Sequence, residues 1–176
     1  MKKDHNFLAD NIVLIGMPGS GKSTVGVLLA KALACSFIDT DLLVQQKEGM
    51  TLKDIIVHEG LSSFLDIESD VILSMKPVKS VIATGGSVIY REQSMLHLRN
   101  TGSLVYLETG YDELRHRITN MKTRGIVMRE GQSLLELYNE REMLYGKYAA
   151  FRVSTDHRHV EDIVDEIIRL AKTASL

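Results

Sequence analysis

Residues 16 to 23 read GMPGSGKS, and this octet decides the fold more than any other stretch of the chain. It fits the phosphate-binding loop pattern, in which a glycine and four free positions precede Gly-Lys-Ser or Gly-Lys-Thr. The glycines can adopt backbone angles that turn successive amide N–H groups inward onto phosphate oxygens. Lys22 can reach the β- and γ-phosphates, and the Ser23 hydroxyl suits a Mg²⁺ ligand. The octet therefore predicts that the protein binds a nucleoside triphosphate.

The residues on both sides of the octet have the periodicity that such a loop needs. Residues 12–15, IVLI, form a short apolar run typical of a fully buried strand. After the loop, apolar residues recur at helical spacing, and the positive N-terminus of that helix would point at the bound anion. The alternative is an ordinary glycine-rich turn. Such a turn would not require every residue of the motif together with a strand before it and a helix after it. The residues expected to bind the nucleotide are Gly16, Gly19, Ser20, Gly21, Lys22, Ser23 and Thr24.

Length and composition favour a single domain in the cytoplasm. The chain has 176 residues, of which 44% are hydrophobic and 25% charged, and its net charge is −2. This charge offers no reason to expect nucleic acid or an anionic membrane as partner. No apolar stretch approaches the roughly 20 residues of a membrane span, and the start, MKKDHNFLAD, has no secretory signal. The lone Cys35 excludes an internal disulfide, and no apolar stripe remains for an oligomer, so we expect a cytoplasmic monomer.

Strand and helix patterns alternate along the whole chain. Strand candidates are residues 11–15, 36–39, 80–84, 103–107 and 151–154. Helical patterns occupy residues 22–34, 41–48, 51–59, 61–75, 91–99, 111–118, 132–147 and 158–173. Such alternation predicts right-handed crossovers and a parallel sheet covered on both faces. Residues 119–131 are polar and without a clear period, which predicts either a functional lid or a plain surface loop.

Two acids follow the second predicted strand, in the segment FIDTD of residues 37–41. Ligands of open α/β sheets bind at the carboxyl ends of the strands. If the backbone stays extended, Asp39 and Asp41 point the same way and both can face the pocket. One carboxylate would then serve the metal, and the other would accept a hydrogen bond or proton from an attacking hydroxyl. The alternative is a helix N-cap at Thr40 or Asp41.

Glycines and arginines complete the candidate site. Gly85 and Gly86 follow the third predicted strand, where they permit close backbone approach to a ligand, or they form a simple tight turn. Arginine suits phosphoryl transfer because its planar fork binds phosphate or carboxylate at two points. The arginines in or near the predicted lid are Arg117, Arg124, Arg129 and Arg141, of which we assign Arg129 to a solvated surface.

With these motifs in place, the chain resembles the shikimate kinase family, a single-domain branch of the nucleoside monophosphate kinase-like group. The likeness runs from about residue 12 to residue 155. It includes GMPGSGKST, FIDTD, HEGLSSFLDIE at 58–68, ATGG at 83–86 and the ER..LY helix at 140–145. The phosphate loop is shared by many families, whereas the order and spacing of the other motifs are far more specific.

The resemblance implies a three-layer αβα fold with a five-stranded parallel sheet in the order 2-3-1-4-5. One domain, residues 1–176, would contain a substrate-binding segment at about 41–75 and a lid at about 119–131. The implied reaction transfers the γ-phosphate of ATP to the 3-hydroxyl of shikimate. Lys22 and Ser23 match the family's phosphate and Mg²⁺ residues. Asp39 matches the acid near Mg²⁺, and Asp41 matches the acid that binds shikimate hydroxyls and accepts the proton.

The same resemblance implies roles for five residues later in the chain. Gly85 and Gly86 match glycines that contact the substrate. Arg117 matches the residue that packs on adenine, and Arg124 matches the lid arginine that reaches the transferring phosphate. Arg141 matches one of two arginines that bind the shikimate carboxylate.

The chain departs from the family pattern in the acceptor half of the predicted site. The family motif FRxxE reads Phe64-Leu65-Asp66-Ile67-Glu68 here, so Leu65 replaces the second carboxylate-binding arginine and Glu68 lacks its expected partner. The third glycine of the family's GGG is Ser87, which narrows the pocket. The lid's RPLL is Arg-Gly-Ile-Val at 124–127, and the proline of RxPLY is a methionine at position 143.

Three functions therefore remain open on the sequence. The first is shikimate phosphorylation, and the second is phosphorylation of another small hydroxylated compound or nucleotide by the same fold. The absence of a second arginine beside Arg141 favours an acceptor with less negative charge. The third is a nucleotide-binding regulatory protein without transfer activity.

Overall fold

The computed structural model describes residues 11–118 and 126–173, which form one parallel sheet with helices on both faces. The strands lie in the order β2-β3-β1-β4-β5, and every neighbouring pair is parallel. The predicted three-layer fold and strand order are thus confirmed. The strands are β1 (Asn11–Ile15), β2 (Ser36–Asp39), β3 (Ser80–Ala83), β4 (Gly102–Glu108) and β5 (Phe151–Ser154). The helices are α1 (Lys22–Leu33), α2 (Thr40–Glu48), α3 (Leu52–Ser74), α4 (Glu92–Thr101), α5 (Tyr111–Arg117), α6 (Leu134–Tyr148) and α7 (Val160–Thr173), with a 3-10 turn at Val88–Tyr90.

The central strand β1 separates two apolar layers by simple alternation of its side chains. Ile12 and Leu14 lie in the cluster that includes residues of α1 and α7. Val13 and Ile15 lie in the opposite cluster, with residues of α4 and α6. All four side chains are buried on a strand that has neighbours on both edges, which explains its uninterrupted apolar run. In the part of the chain that the structure describes, none of the helices is both long and apolar enough to cross a bilayer.

Helix α3 consists of two helical arms that meet at a kink at Gly60. That glycine has φ 81° and ψ 166°, outside the helical region, and a residue with a side chain would be strained at this positive φ. The helical patterns predicted for residues 51–59 and 61–75 are the two arms of this bent helix. The bend matters for the site because the second arm carries Leu65 and Glu68.

Asn11 joins three elements at the amino end of the sheet, and we expect its loss to destabilise the fold. Its buried Nδ2 donates to the carbonyls of Pro77 and Thr101, both at 3.0 Å, and Ser80 N donates to Oδ1 at 2.9 Å. Asn11→Ala leaves these groups unpaired, so we expect a loss of about 1–3 kcal/mol in the free energy of unfolding. In a thermal unfolding experiment the melting temperature should fall by roughly 2–4 °C for each kcal/mol lost. Asn100→Ala, at an exposed position of α4, is the control, and equal melting temperatures for both variants would contradict the assignment.

Candidate active site

The loop between β1 and α1 has the backbone geometry that the octet predicts. Gly16, Gly19 and Gly21 have positive φ angles of 149°, 85° and 95°. Gly21 is the N-cap residue of α1, and no side chain caps this helix. The first amides of α1 are therefore available to an anion at the positive end of the helix.

Lys22 is held inside this loop. Its Nζ donates to the carbonyls of Gly16 and Met17, both at 2.8 Å, and the residue is buried. Burial lowers the pKa of Lys22 to about 8, although the nearby carboxylate of Asp41 favours the charged form. A phosphate bound near Nζ would raise this pKa again, because a neighbouring negative charge favours the ammonium form.

The predicted geometry of the two acids after β2 is wrong in one respect. The extended backbone ends at Asp39, and α2 already begins at Thr40. Asp39, rather than Thr40 or Asp41, is the N-cap residue, because its Oδ1 accepts the backbone N–H of Asp41 at 3.0 Å. The direction of the Asp41 side chain is therefore set by the geometry of α2 and not by strand alternation. In this position Asp41 lines the central cavity.

Asp39 and Ser23 are suited to share a metal ion. The Ser23 hydroxyl donates to Asp39 Oδ2 at 2.7 Å, so two oxygen atoms meet where the loop passes into α1. Mg²⁺ prefers oxygen atoms and takes one or two protein ligands together with substrate phosphates and water. Within residues 11–118 and 126–173, no group of three or more His, Cys, Asp or Glu residues forms a complete metal cage. The pair thus fits an ion that arrives with a nucleotide.

A cavity of about 580 Å³ runs along the carboxyl edge of the sheet and contains both halves of the predicted site. This volume is in the range of small-molecule sites. The loop half is lined by Pro18, Gly19, Gly21, Lys22, Ser23, Thr24 and Arg117. The other half is lined by Asp41, Phe64, Thr84, Gly86, Ser87, Ile126, Val127 and Arg141.

Arg117 is fixed at the loop end of this cavity. It donates from Nη2 to the Thr155 carbonyl at 2.8 Å and from Nε to Glu113 at 2.9 Å. These contacts hold the guanidinium plane at the cavity wall, where a planar base can stack on it.

The glycine turn after β3 brings two carboxylates close together. A Cβ on Gly85 would crowd both Glu68 Oε1 and Asp41 Oδ1, so a larger residue there would require the carboxylates to shift. Gly85 itself packs beneath these side chains, whereas Gly86 lines the cavity. Burial raises the pKa of Asp41 to about 6, and Asp39 adds to this effect.

Arg141 is fully buried, and one of its nitrogens is left for a ligand. Its Nε donates to the Tyr90 hydroxyl at 3.2 Å, and Nη2 donates to the Val127 carbonyl at 2.6 Å. The guanidinium also lies over the Tyr90 ring, 5.1 Å from its centre. Nη1 has no hydrogen-bond partner among the described residues. An unpaired buried donor is costly, and an anionic group of a ligand would satisfy it.

Glu68 has a partner that the sequence did not reveal. The Ser87 hydroxyl donates to its Oε2 at 2.8 Å, while Oε1 has no partner among the described residues. Burial raises the pKa of Glu68 to about 8, and Asp41 acts in the same direction. Sequence reasoning placed Ser87 at the pocket but missed its contact with Glu68, and it missed Tyr90 beside Arg141 altogether. The only local signal was the serine in place of a glycine.

Of the other two predicted arginines, the structure describes only Arg129. Arg124 falls outside the described residues, so its predicted role at the phosphate stays a prediction. Arg129 is exposed and pairs with Glu140 at the surface, in line with the solvated position expected for it.

Taken together, the sheet order, the glycine loop with its buried lysine and the carboxylate beside that loop define a P-loop kinase. The Shikimate kinase family model matches residues 18–172. The shikimate kinase of Paracidovorax citrulli is 36% identical over 172 residues, which cover 94% of each chain. By these matches the chain belongs to the shikimate kinase family.

Solved structures agree with this family. Shikimate kinase from Acinetobacter baumannii, in complex with shikimate, superposes with a TM-score of 0.87 at 32% identity, over 96% of each chain. The enzyme from Aquifex aeolicus gives a TM-score of 0.79 at 32% identity, over 93% of this chain and 96% of that one. The family resemblance on the sequence is thereby confirmed.

Proposed function

We propose that the protein transfers the γ-phosphate of ATP to the 3-hydroxyl of shikimate. One observation carries this proposal above the others: Asp41 and the unpaired Nη1 of Arg141 share a cavity with the phosphate loop. A hydroxyl acid bound there would meet a carboxylate at one end and a guanidinium at the other. The Acinetobacter baumannii relative was solved with such a hydroxyl acid, shikimate.

The reaction needs positioning and charge stabilisation more than covalent chemistry from the protein. The loop amides and Lys22 stabilise negative charge on the β- and γ-phosphates. Asp41 orients the attacking hydroxyl and accepts its proton. The new bond joins the acceptor oxygen to the γ-phosphorus, the bond from that phosphorus to the β–γ bridging oxygen breaks, and ADP leaves.

The remaining sequence predictions fit into the same proposal. Ser23 and Asp39 would hold Mg²⁺, which supplies further charge neutralisation at the phosphates when it is bound. Arg117 would pack on the adenine. Residues 119–131 would close over the nucleotide, bring Arg124 to the transferring phosphate and exclude water.

We further propose that residues 1–176 are one domain, with its substrate-binding segment at about 41–75. We propose a monomer in the cytoplasm that binds neither nucleic acid nor membrane. The net charge of −2 supports this view of its partners.

A second candidate function is phosphorylation of another small hydroxylated compound. The observation in its favour is Leu65, which packs among apolar side chains and adds no charge to the acceptor half of the cavity. A nucleotide-binding regulatory protein without transfer activity is the remaining alternative.

Release of ADP, measured with and without shikimate, separates these functions. We expect shikimate-dependent release in the presence of ATP and Mg²⁺, and a phosphorylated shikimate detectable by mass spectrometry. Release only with other polyols or hydroxy acids would favour the second candidate. No acceptor-dependent release with any of them would leave the regulatory alternative.

A further inference from the structure

Ser87 adds a hydroxyl to the acceptor half of the cavity at a position where the family pattern has glycine. The side chain is buried and lines the cavity beside Gly86. Arg141 is also close to Gly86, because its Nη1 is 3.0 Å from the position of a Cβ on that glycine. Ser87 and this nitrogen are therefore both neighbours of Gly86 at the wall of the same cavity.

The protonation state of Glu68 decides whether the Ser87 hydroxyl can donate a hydrogen bond to a ligand. Glu68 is buried, accepts one hydrogen bond and has Asp41 as a neighbour across Gly85. An ionised carboxylate is costly in such a place, so Glu68 carries a proton at neutral pH. The titratable groups that act on it from neighbouring helices are Lys22 of α1, Asp41 of α2, and Arg141 and Tyr145 of α6.

The two cations do not neutralise Glu68 by direct contact. Lys22 donates to two loop carbonyls, and Arg141 donates to the Tyr90 hydroxyl and the Val127 carbonyl. The side chain that the family pattern pairs with this acid would come from position 65, which is leucine here. The protonated acid therefore has a hydrogen to donate.

We propose that Ser87, supported by protonated Glu68, donates a hydrogen bond to the carboxylate of the acceptor in place of the arginine absent at position 65. The Ser87 hydroxyl donates to Glu68 Oε2 in the structure, and protonation of Glu68 reverses this bond: the acid then donates to Ser87 Oγ, and the Ser87 hydrogen is free to point into the cavity. The carboxylate binds between Ser87 and Arg141 Nη1. This inference rests on the proposed function and makes Ser87 a specificity-determining residue, with Glu68 as its positioning residue.

Removal of the hydroxyl tests the first half of the proposal. For Ser87→Ala we expect the KM for shikimate at pH 7 to rise by about tenfold or more, because a hydrogen bond to a charged group is lost. The KM for ATP should stay close to the wild-type value, whereas the melting temperature should fall by a few degrees because buried Glu68 loses its partner. Ser63→Ala, at an exposed position of α3, is the matched control and should change neither KM.

The pH dependence tests the second half. As pH rises through about 8, Glu68 ionises, takes back the Ser87 hydrogen and repels the acceptor, so the wild-type KM for shikimate should rise. Glu68→Gln keeps a donor at every pH, so its KM for shikimate, whatever its value at pH 7, should lack this rise. A purely structural role for Glu68 would not separate the two profiles.

The possible outcomes are distinct. Wild-type turnover with an unchanged KM in Ser87→Ala would overturn the inference alone, as would the same alkaline rise in Glu68→Gln. If Ser87→Ala fails to fold, the Glu68→Gln profile decides. A wild-type chain without shikimate-dependent turnover would refute the proposed acceptor, and this inference with it.

Discussion

Lys22→Met is expected to reduce kcat by at least about a hundred- to thousandfold while leaving the fold in place. Loss of one preorganised donor at developing charge costs about this factor in other enzymes. Lys22 is the ammonium group at the centre of the phosphate loop, and its pKa is lowered to about 8 because it is buried away from water. Methionine has a similar length and no charge to desolvate, so the melting temperature should not fall.

The measurement combines turnover with thermal unfolding. Lys31→Met, at an exposed position in the last turn of the same helix, is the control and should keep wild-type turnover. Near-wild-type kcat in Lys22→Met would refute the role of Lys22. A large fall in melting temperature would instead mean that its hydrogen bonds to the loop carbonyls stabilise the fold.

Leu65→Arg is expected to lower the KM for shikimate by about ten- to a hundredfold. A charge-assisted hydrogen bond to a carboxylate contributes about 1.5–3 kcal/mol, which corresponds to this factor in affinity. Leu65 is half-buried and borders a second cavity of about 260 Å³, lined also by Leu61, Tyr90 and Val127. Val127 borders the central cavity as well, so the two cavities adjoin at this residue.

Two variants separate charge from size at this position. Leu65→Met extends the side chain without charge and should leave the KM near wild type. Leu65→Arg would also pair with Glu68 and ionise it, so Ser87→Ala should have little further effect in that background. An unchanged or higher KM in Leu65→Arg would mean that the cavity is built around another acceptor, which favours the second candidate function.

Those features of the protein that depend on local sequence could be predicted from it. The octet at 16–23 requires particular backbone angles at its glycines, and these angles are present at Gly16, Gly19 and Gly21. The apolar run of β1 and the helical spacing after it are likewise local patterns, and the strand order came from the family resemblance. The loop conformation, the strand and the helix are predictable because each depends mainly on residues that are neighbours in the sequence.

The acceptor half of the site depends on contacts between residues far apart in the chain. Glu68 meets Ser87 across 19 positions, and Arg141 meets Tyr90 across 51. Asp41 lines the cavity as predicted, but for another reason: α2 begins at Thr40, one residue before the predicted helix, so the helix and not the strand orients this side chain.

The sequence by itself therefore determined the class of fold, the nucleotide half of the site and the absence of an arginine at position 65. Only the tertiary structure decided that Glu68 pairs with Ser87 and that one nitrogen of Arg141 has no partner among residues 11–118 and 126–173. The physical reason is that burial and hydrogen-bond partners arise when distant segments pack together, and no spacing along the chain records them.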